Sequence, residues 1–179
     1  MALRKAATYS KHKKKPYTRK SNVKSKAYVK AIPSTVIVKF VMGDVKRFLQ
    51  KKFNYTVNLL ASEPVLIRDN AIESARNLIH KELESEFKGN YYFCIALYPH
   101  HVIRENKLIA GAGADRMQSG MKESFGTPIG IGARVKEGKE IFKVAVSGRN
   151  DISKVIKILK KTKAKLPCKS KIQVEEIKK

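Results

Sequence analysis

Few side chains in this chain could make or break bonds. His100 and His101 are adjacent, and Asp115 and Arg116 follow in the same segment. Adjacent residues on a strand point to opposite faces, so the two imidazoles do not readily share a metal. No Glu or Cys stands at a supporting spacing, and the histidines read as structural or RNA-facing. Gly111-Ala112-Gly113 is a fragment of a phosphate-binding turn that lacks the third glycine and the Gly-Lys-Ser/Thr ending. Asp115 beside Arg116 reads as local turn and ion-pair chemistry. Cys94 and Cys168 lie far apart, too few for a disulfide framework or a zinc site, and Cys94 reads as a buried free thiol. No nucleophile stands with a base. The expectation is no catalytic residue, no metal and no cofactor.

The chemistry present in excess is ionic. The 179 residues hold 39 Lys+Arg against 15 Asp+Glu, a net charge of +24. A small soluble domain needs a net charge of only about 2–8. A larger field opposes compaction unless a polyanion lies against it. A nucleic acid or an anionic membrane surface is therefore expected. Hydrophobic residues make up 42%, enough for a packed core. No stretch approaches the ~18 apolar residues of a membrane helix. The start has no apolar signal-peptide core, so a cytoplasmic protein is expected.

The charge is partitioned. Residues 1–43 carry +12 with no acidic residue, residues 44–153 only +4, and residues 154–179 carry +8. The first thirty residues lack apolar periodicity, and like charges there repel. An extended or disordered arm is expected, ordering along phosphates with Tyr9, Tyr17 and Tyr28 available to stack. Its candidate RNA contacts are Arg4, Lys5, Lys11, His12, Lys13, Lys14, Lys15, Tyr17, Arg19, Lys20, Lys24 and Lys26.

These groups need elements to position them. Val36 to Val41 is β-branched and predicts a strand stopped at Gly43-Asp44. Residues 46–52 fit a short helix or a basic loop. Tyr55 to Leu60 alternates and predicts a second strand. Asp69 to Phe87 predicts a helix with Ile72, Ala75, Ile79, Leu83 and Phe87 on one stripe, Asn70 as the cap and Gly89 as the stop. Tyr91 to Tyr98 predicts a central strand covered on both faces. Residues 126–146 predict a hairpin turning at Glu137-Gly138, with Gly130 and Gly132 marking close approach or a bend. Asp151 to Lys163 predicts a second helix, with Lys154, Lys157 and Lys161 together on its outer face as further RNA contacts. Lys171 to Val174 fits a last strand.

The fold expected is α+β: a sandwich of a mostly antiparallel sheet with two helices on one face, plus a basic extended N-terminal arm. Its parts are an arm at 1–31, a globular domain at 32–166 and a basic C-terminal strand or tail at 167–179. Between the central strand and the hairpin, residues 105–118 show no strong periodicity. So long a connection in a compact domain is usually functional or disordered. Arg104, Lys107 and Arg116 make it a flexible cationic finger.

That segment also carries a resemblance. His101-Val102-Ile103-Arg104, Asn106-Lys107, Ala112-Gly113-Ala114-Asp115-Arg116-Met117-Gln118-Ser119-Gly120-Met121 and Phe125-Gly126-Thr127-Pro128 closely resemble the universal L-sixteen family of large-subunit ribosomal proteins. The likeness is to its archaeal and eukaryotic form, called there large-subunit protein ten. Lys15-Pro16-Tyr17, the stretch from Ile32-Pro33 through Gly43, and Ala133-Arg134-Val135 support it. The stretch from Arg4 to Ser10 lacks the family's usual Arg-Pro and Cys-Tyr-Arg residues, and few family residues are recognisable in 44–90.

The resemblance implies a structural protein among rRNA helices beneath the central protuberance, near 5S rRNA and tRNA acceptor arms. It implies neighbouring ribosomal proteins and assembly factors as partners and entry late in subunit assembly. It also implies a loop reaching toward tRNA and the peptidyl-transferase centre: Arg104, Lys107, Gly111, Ala112, Gly113, Ala114, Asp115, Arg116, Met117 and Gln118. An RNA-modifying enzyme and a general DNA- or chromatin-binding module are the alternatives. The first needs a catalytic residue in a pocket, and the second should bind duplex DNA as well as structured RNA.

Overall fold

The computed structural model describes residues 5, 7–11, 23–106, 111–117, 120–122 and 124–177, with backbone alone at Lys24, Ala114 and Asp115. Among the described residues the chain order begins β1 (Val41–Gly43), α1 (Val45–Leu49), β2 (Tyr55–Ala61), β3 (Val65–Arg68), α2 (Asp69–Phe87) and β4 (Tyr92–Ile95). It continues β5 (His101–Glu105), α3 (Ala114–Met117), β6 (Thr127–Val135), β7 (Glu140–Val146), α4 (Arg149–Thr162) and β8 (Ser170–Glu176). The fold is α+β and every strand pairing is antiparallel.

The strands form two sheets rather than one. The larger is ordered β1-β4-β7-β2-β8 and the smaller β3-β6-β5. Val57, Leu59, Phe93, Phe142 and Val144 of the larger sheet share a core with Val65, Ile67, Ala133 and Val135 of the smaller. Helices α2 and α4 close that core through Ile72, Ala75, Ile79 and Leu83 of one and Val155, Ile158 and Leu159 of the other. These spacings of three and four place each set on one helical stripe. Helix α2 lies against α4, β3 and β6, while α4 lies against β2 and β7.

The larger sheet's opposite face carries Phe53, Tyr92 and Ala145. Phe48 of α1 stacks on Tyr92 with ring centres 3.8 Å apart. The stretch at 46–52 thus starts as a helix, and the Asp44 side chain caps it by accepting from the Arg47 N–H at 2.9 Å. Strand β4, between β1 and β7, is covered on both faces as its apolar run implied.

Several expectations need correction. First, the predicted strand at 36–41 enters a ladder only at Val41. Carboxylates on α2 take the backbone groups of the preceding residues: Asp69 Oδ2 accepts from Val36 N at 3.1 Å, and Glu73 Oε2 from Val38 N at 3.4 Å. A donor given to a carboxylate is not available to a neighbouring strand. Asn70 does not cap α2 as expected: it lies inside the helix, and the N-cap position is Arg68 without a side-chain bond.

Second, 126–146 is not a hairpin ladder. The turn at Glu137-Gly138 is real, and Gly138 N donates to Ala61 O at 2.8 Å. The strands on either side of it diverge. Strand β6 pairs with β3 and β5, whereas β7 pairs with β2 and β4. Both strands offer apolar inner faces, and alternation does not encode which neighbour each will take. Of the two strand glycines, only Gly132 is closely approached: a Cβ there would lie 3.3 Å from both Leu66 and Ile103 methyl groups.

Third, Cys94 is only half-buried. Cys168 is the buried thiol, pushed up to about 11 by burial. Both cysteines are free.

Arg76 completes the α2 cluster. Its Nε and Nη2 donate to the two Glu73 oxygens at 2.8 and 2.6 Å, and both residues are buried. Those hydrogen bonds from Arg76 hold the Glu73 carboxyl below its ordinary value. Arg76→Met leaves the Glu73 charge buried alone, and a loss of about 3–5 kcal/mol in denaturant unfolding at pH 7 is expected. A carboxylate with a depressed folded value contributes stability above its unfolded value, lost as pH falls through the folded one. The gap between Arg76→Met and the wild type should therefore narrow below about pH 4. An unchanged gap at low pH would show that the effect is not electrostatic.

Candidate nucleic-acid interface

Helix α4 carries the expected lysines outward, but not all of them freely. Lys154 Nζ lies 3.2 Å from Glu86 Oε2, and Lys161 Nζ lies 3.0 Å from both Glu82 oxygens. These partners stand on α2 and line, with Ser85, Lys157 and Ile158, a groove of about 510 Å³. Lys157 has no carboxylate partner among the described residues. Exposed pairs of this kind are worth about 0–1 kcal/mol, so a phosphate can displace the glutamates at small cost. The cationic surface also runs past the predicted residues. Lys160, Lys163, Lys165, Lys169 and Lys171 are exposed beyond them, down to the β8 edge strand.

The arm is partly laid on the domain. Arg68 Nη2 donates to Lys5 O at 2.6 Å, and Leu66 N donates to Ser10 O at 2.9 Å, both along β3. Lys5 and Lys11 are exposed there, and Lys26 is exposed in the 3-10 turn Lys24–Lys26. Further on, Ala27 and Val29 are buried, and Val29 packs with Val102 and Ile131. These two residues are buried although an extended or disordered arm is expected, because Val29 meets apolar strand residues distant in sequence. Arg4, His12, Lys13, Lys14, Lys15, Tyr17, Arg19 and Lys20 lie outside the described residues, as does the side chain of Lys24.

The loop has a closed stem. Arg104 sits on β5 with its guanidinium carbon 3.6 Å from the Phe125 ring centre, and its Nη1 donates to Phe125 O at 2.6 Å. Burial pulls the guanidinium below its ordinary value, which leaves it charged at neutral pH. Asn106 Nδ2 donates to Gly120 O at 3.2 Å. Gly126 crosses at φ +73, where a Cβ would lie 2.6 Å from the Glu105 carbonyl carbon, so only glycine fits. Tyr28 stands 6.2 Å from Phe125, ring to ring, so the end of the arm reaches this stem.

Above the stem, Gly111, Ala112, Gly113, Arg116 and Met117 are exposed, and α3 holds Ala114 to Met117. Lys107 and Gln118 lie outside the described residues. The stem separates Arg104 from the tip: the loop's first predicted cation is an anchor at its base. Phe125 was missed as a site residue although Phe125-Gly126 stood in the recognised motif. Its role depends on an arginine 21 positions earlier.

Enzyme-like features are sparse. Among the described residues no group of His, Cys, Asp and Glu is placed to hold a metal, and no helix is long and apolar enough to cross a membrane. His100 packs by the Tyr98 ring, while His101 begins β5.

Comparison with known proteins gives this surface its context. Residues 12–173 match the family described as ribosomal protein L16p/L10e. The large ribosomal subunit protein uL16 of Hyperthermus butylicus is 38% identical, with 99% of this chain and 96% of that protein covered. The uL16 protein of Methanococcus maripaludis is 39% identical over 97% of this chain and 95% of its own length. That of Sulfolobus acidocaldarius is 37% identical over 100% and 97%. The alternative of an RNA-modifying enzyme falls with these matches. With nearly its whole length matched, a cationic surface and a stemmed loop, the chain belongs to the ribosomal protein L16p/L10e family: it is a structural constituent of the ribosome, partnered by rRNA and ribosomal proteins, and not an enzyme.

Proposed function

We propose that this chain anchors to large-subunit rRNA through its basic arm and the lysine ridge of α4 to β8, and holds residues 104–118 toward tRNA. The observation that carries this reading is the stem. Arg104, Asn106, Phe125 and Gly126 close the loop's base. The exposed tip is built of Gly, Ala, Arg and Met. A loop tied at its base, with small residues exposed among the described part of its tip, suits a crowded RNA-lined space.

The anchoring term is counterion release. Each lysine set against a phosphate frees condensed cations, which makes binding salt-dependent. A-form RNA is read through shape, phosphates and 2′-hydroxyls, which a lysine ridge suits. A seat beneath the central protuberance near 5S rRNA, contact with assembly factors, and entry late in subunit maturation complete the proposal, in keeping with the family resemblance.

Two outcomes test it. Replacing 107–118 by a short Gly-Ser linker spares the stem, so the protein should co-sediment with large subunits after a high-salt wash while polypeptide synthesis falls severalfold. Normal synthesis by such subunits would sink the loop reading, and loss of co-sedimentation would sink the separation of anchor from loop. In rRNA binding by the full chain, Lys157→Ala should flatten the slope of log affinity against log salt by about 0.7–0.9. Lys154→Ala and Lys161→Ala should flatten it less, because their charges already face glutamates. Equal slopes for all three variants would contradict that distinction.

A further inference from the structure

The outer face of the smaller sheet holds a feature that lies between the arm and the base of the loop. By register, Leu66 faces Arg134, Arg68 and His101 flank Gly132, and Ile103 faces Gly130, so these residues share one side of the sheet. Strict alternation would turn Arg104 away. The register shifts between Ile103 and Arg104, and Arg104 then pairs with Pro128, on the same parity as Gly130 and Gly132. Such a bulge re-aims a side chain. Here it turns the arginine toward the face that carries His101.

Over this face lies the arm segment tied to β3 by its bonds to Leu66 and Arg68. Between the two is a cavity of about 150 Å³. Its walls include Tyr9 and Lys11 from the arm and His101 and Arg104 from β5, over a floor of Leu66 and Ile103. Gly132 keeps that floor low, since a Cβ would press on both floor side chains. The space is large enough for a phosphate group. A lysine of the arm and a histidine and an arginine of β5 line it together, and no acidic residue is among the described residues of its lining. Arg104 has five N–H donors, of which Nη1 serves Phe125.

We infer that this cavity is a binding site for a single backbone phosphate of RNA, closed between the arm and the bulged strand. The inference deepens the proposed function and rests on it. RNA is the polyanion favoured because Lys11 opens the sequence Lys11-His12-Lys13-Lys14-Lys15, whose four lysines match a polymer carrying phosphates in series rather than a lone anion. The site also ties the arm to the loop. Arg104 is shared between the cavity and the Phe125 stem, so a phosphate seated here draws the two together.

The test is a double-mutant cycle on rRNA binding by the full chain. Lys11→Ala and His101→Gln should each weaken binding roughly tenfold, as for a charge-assisted hydrogen bond. The double variant should be little weaker than the stronger single, because both residues serve one phosphate. Lys11→Ala combined with the distant Lys157→Ala should instead multiply. If Lys11 and His101 also multiply, or if His101→Gln has no effect, the pocket is overturned while RNA binding stands. A wild-type chain with rRNA affinity indifferent to salt would overturn the RNA-binding reading itself. Inorganic phosphate alone, followed through the His101 imidazole resonances, separates the remaining source. Saturable binding there without coupling on RNA would make this a free-phosphate site and overturn the assignment.

Discussion

The arrangement depends on two carboxylates on the first turns of α2. Asp69 and Glu73 accept backbone N–H groups from Val36 and Val38, and Arg76 holds Glu73 in place with two hydrogen bonds. The segment they fix carries the chain from the basic arm into β1. Ladder pairing would have left that segment on a sheet edge. Bonding to the helix instead lays it across α2, and Phe40 O then accepts from Ile95 N at 2.8 Å to start the larger sheet. The charges sit where water is scarce, so their pairing matters more than that of any surface pair.

Charge is managed differently elsewhere in the molecule. The globular middle is close to neutral, and some of its glutamates are spent on lysines from the end of the chain, Glu82 on Lys161 and Glu86 on Lys154. In a free protein of net charge +24 these pairs lessen self-repulsion. Against RNA they are exchangeable, because exposed ion pairs are weak. One helix face therefore lowers the self-repulsion of the free protein without committing its lysines to a strong partner.

The two sheets explain how a loop and an arm come to share one region. Because the chain turns a corner at Gly138 and changes sheet, β5 and β6 are released from the larger sheet to form the small one. Their far ends support the loop, and their inner face receives Val29 of the arm. A continuous hairpin would have kept β6 beside β7 and left no separate platform.

The elements whose signal is local can be read from the residues alone. Helix α2 was legible because Ile72, Ala75, Ile79 and Leu83 repeat at the helical period, and β2 because Tyr55, Val57 and Leu59 alternate. The loop motif was legible because its residues are contiguous, and the charge partition because it is a count. The three-dimensional arrangement was needed to show which strands β6 joins, which carboxylates take the N–H groups of Val36 and Val38, and which lysines of α4 are paired. It also decided that Phe125 rather than a loop residue would receive Arg104. The physical reason is common to these cases. Each is a contact between positions far apart in the chain, and the local pattern states that a residue is apolar or charged without stating its partner. Hydrophobic period fixes a face and valence fixes a sign, but packing in three dimensions fixes who meets whom.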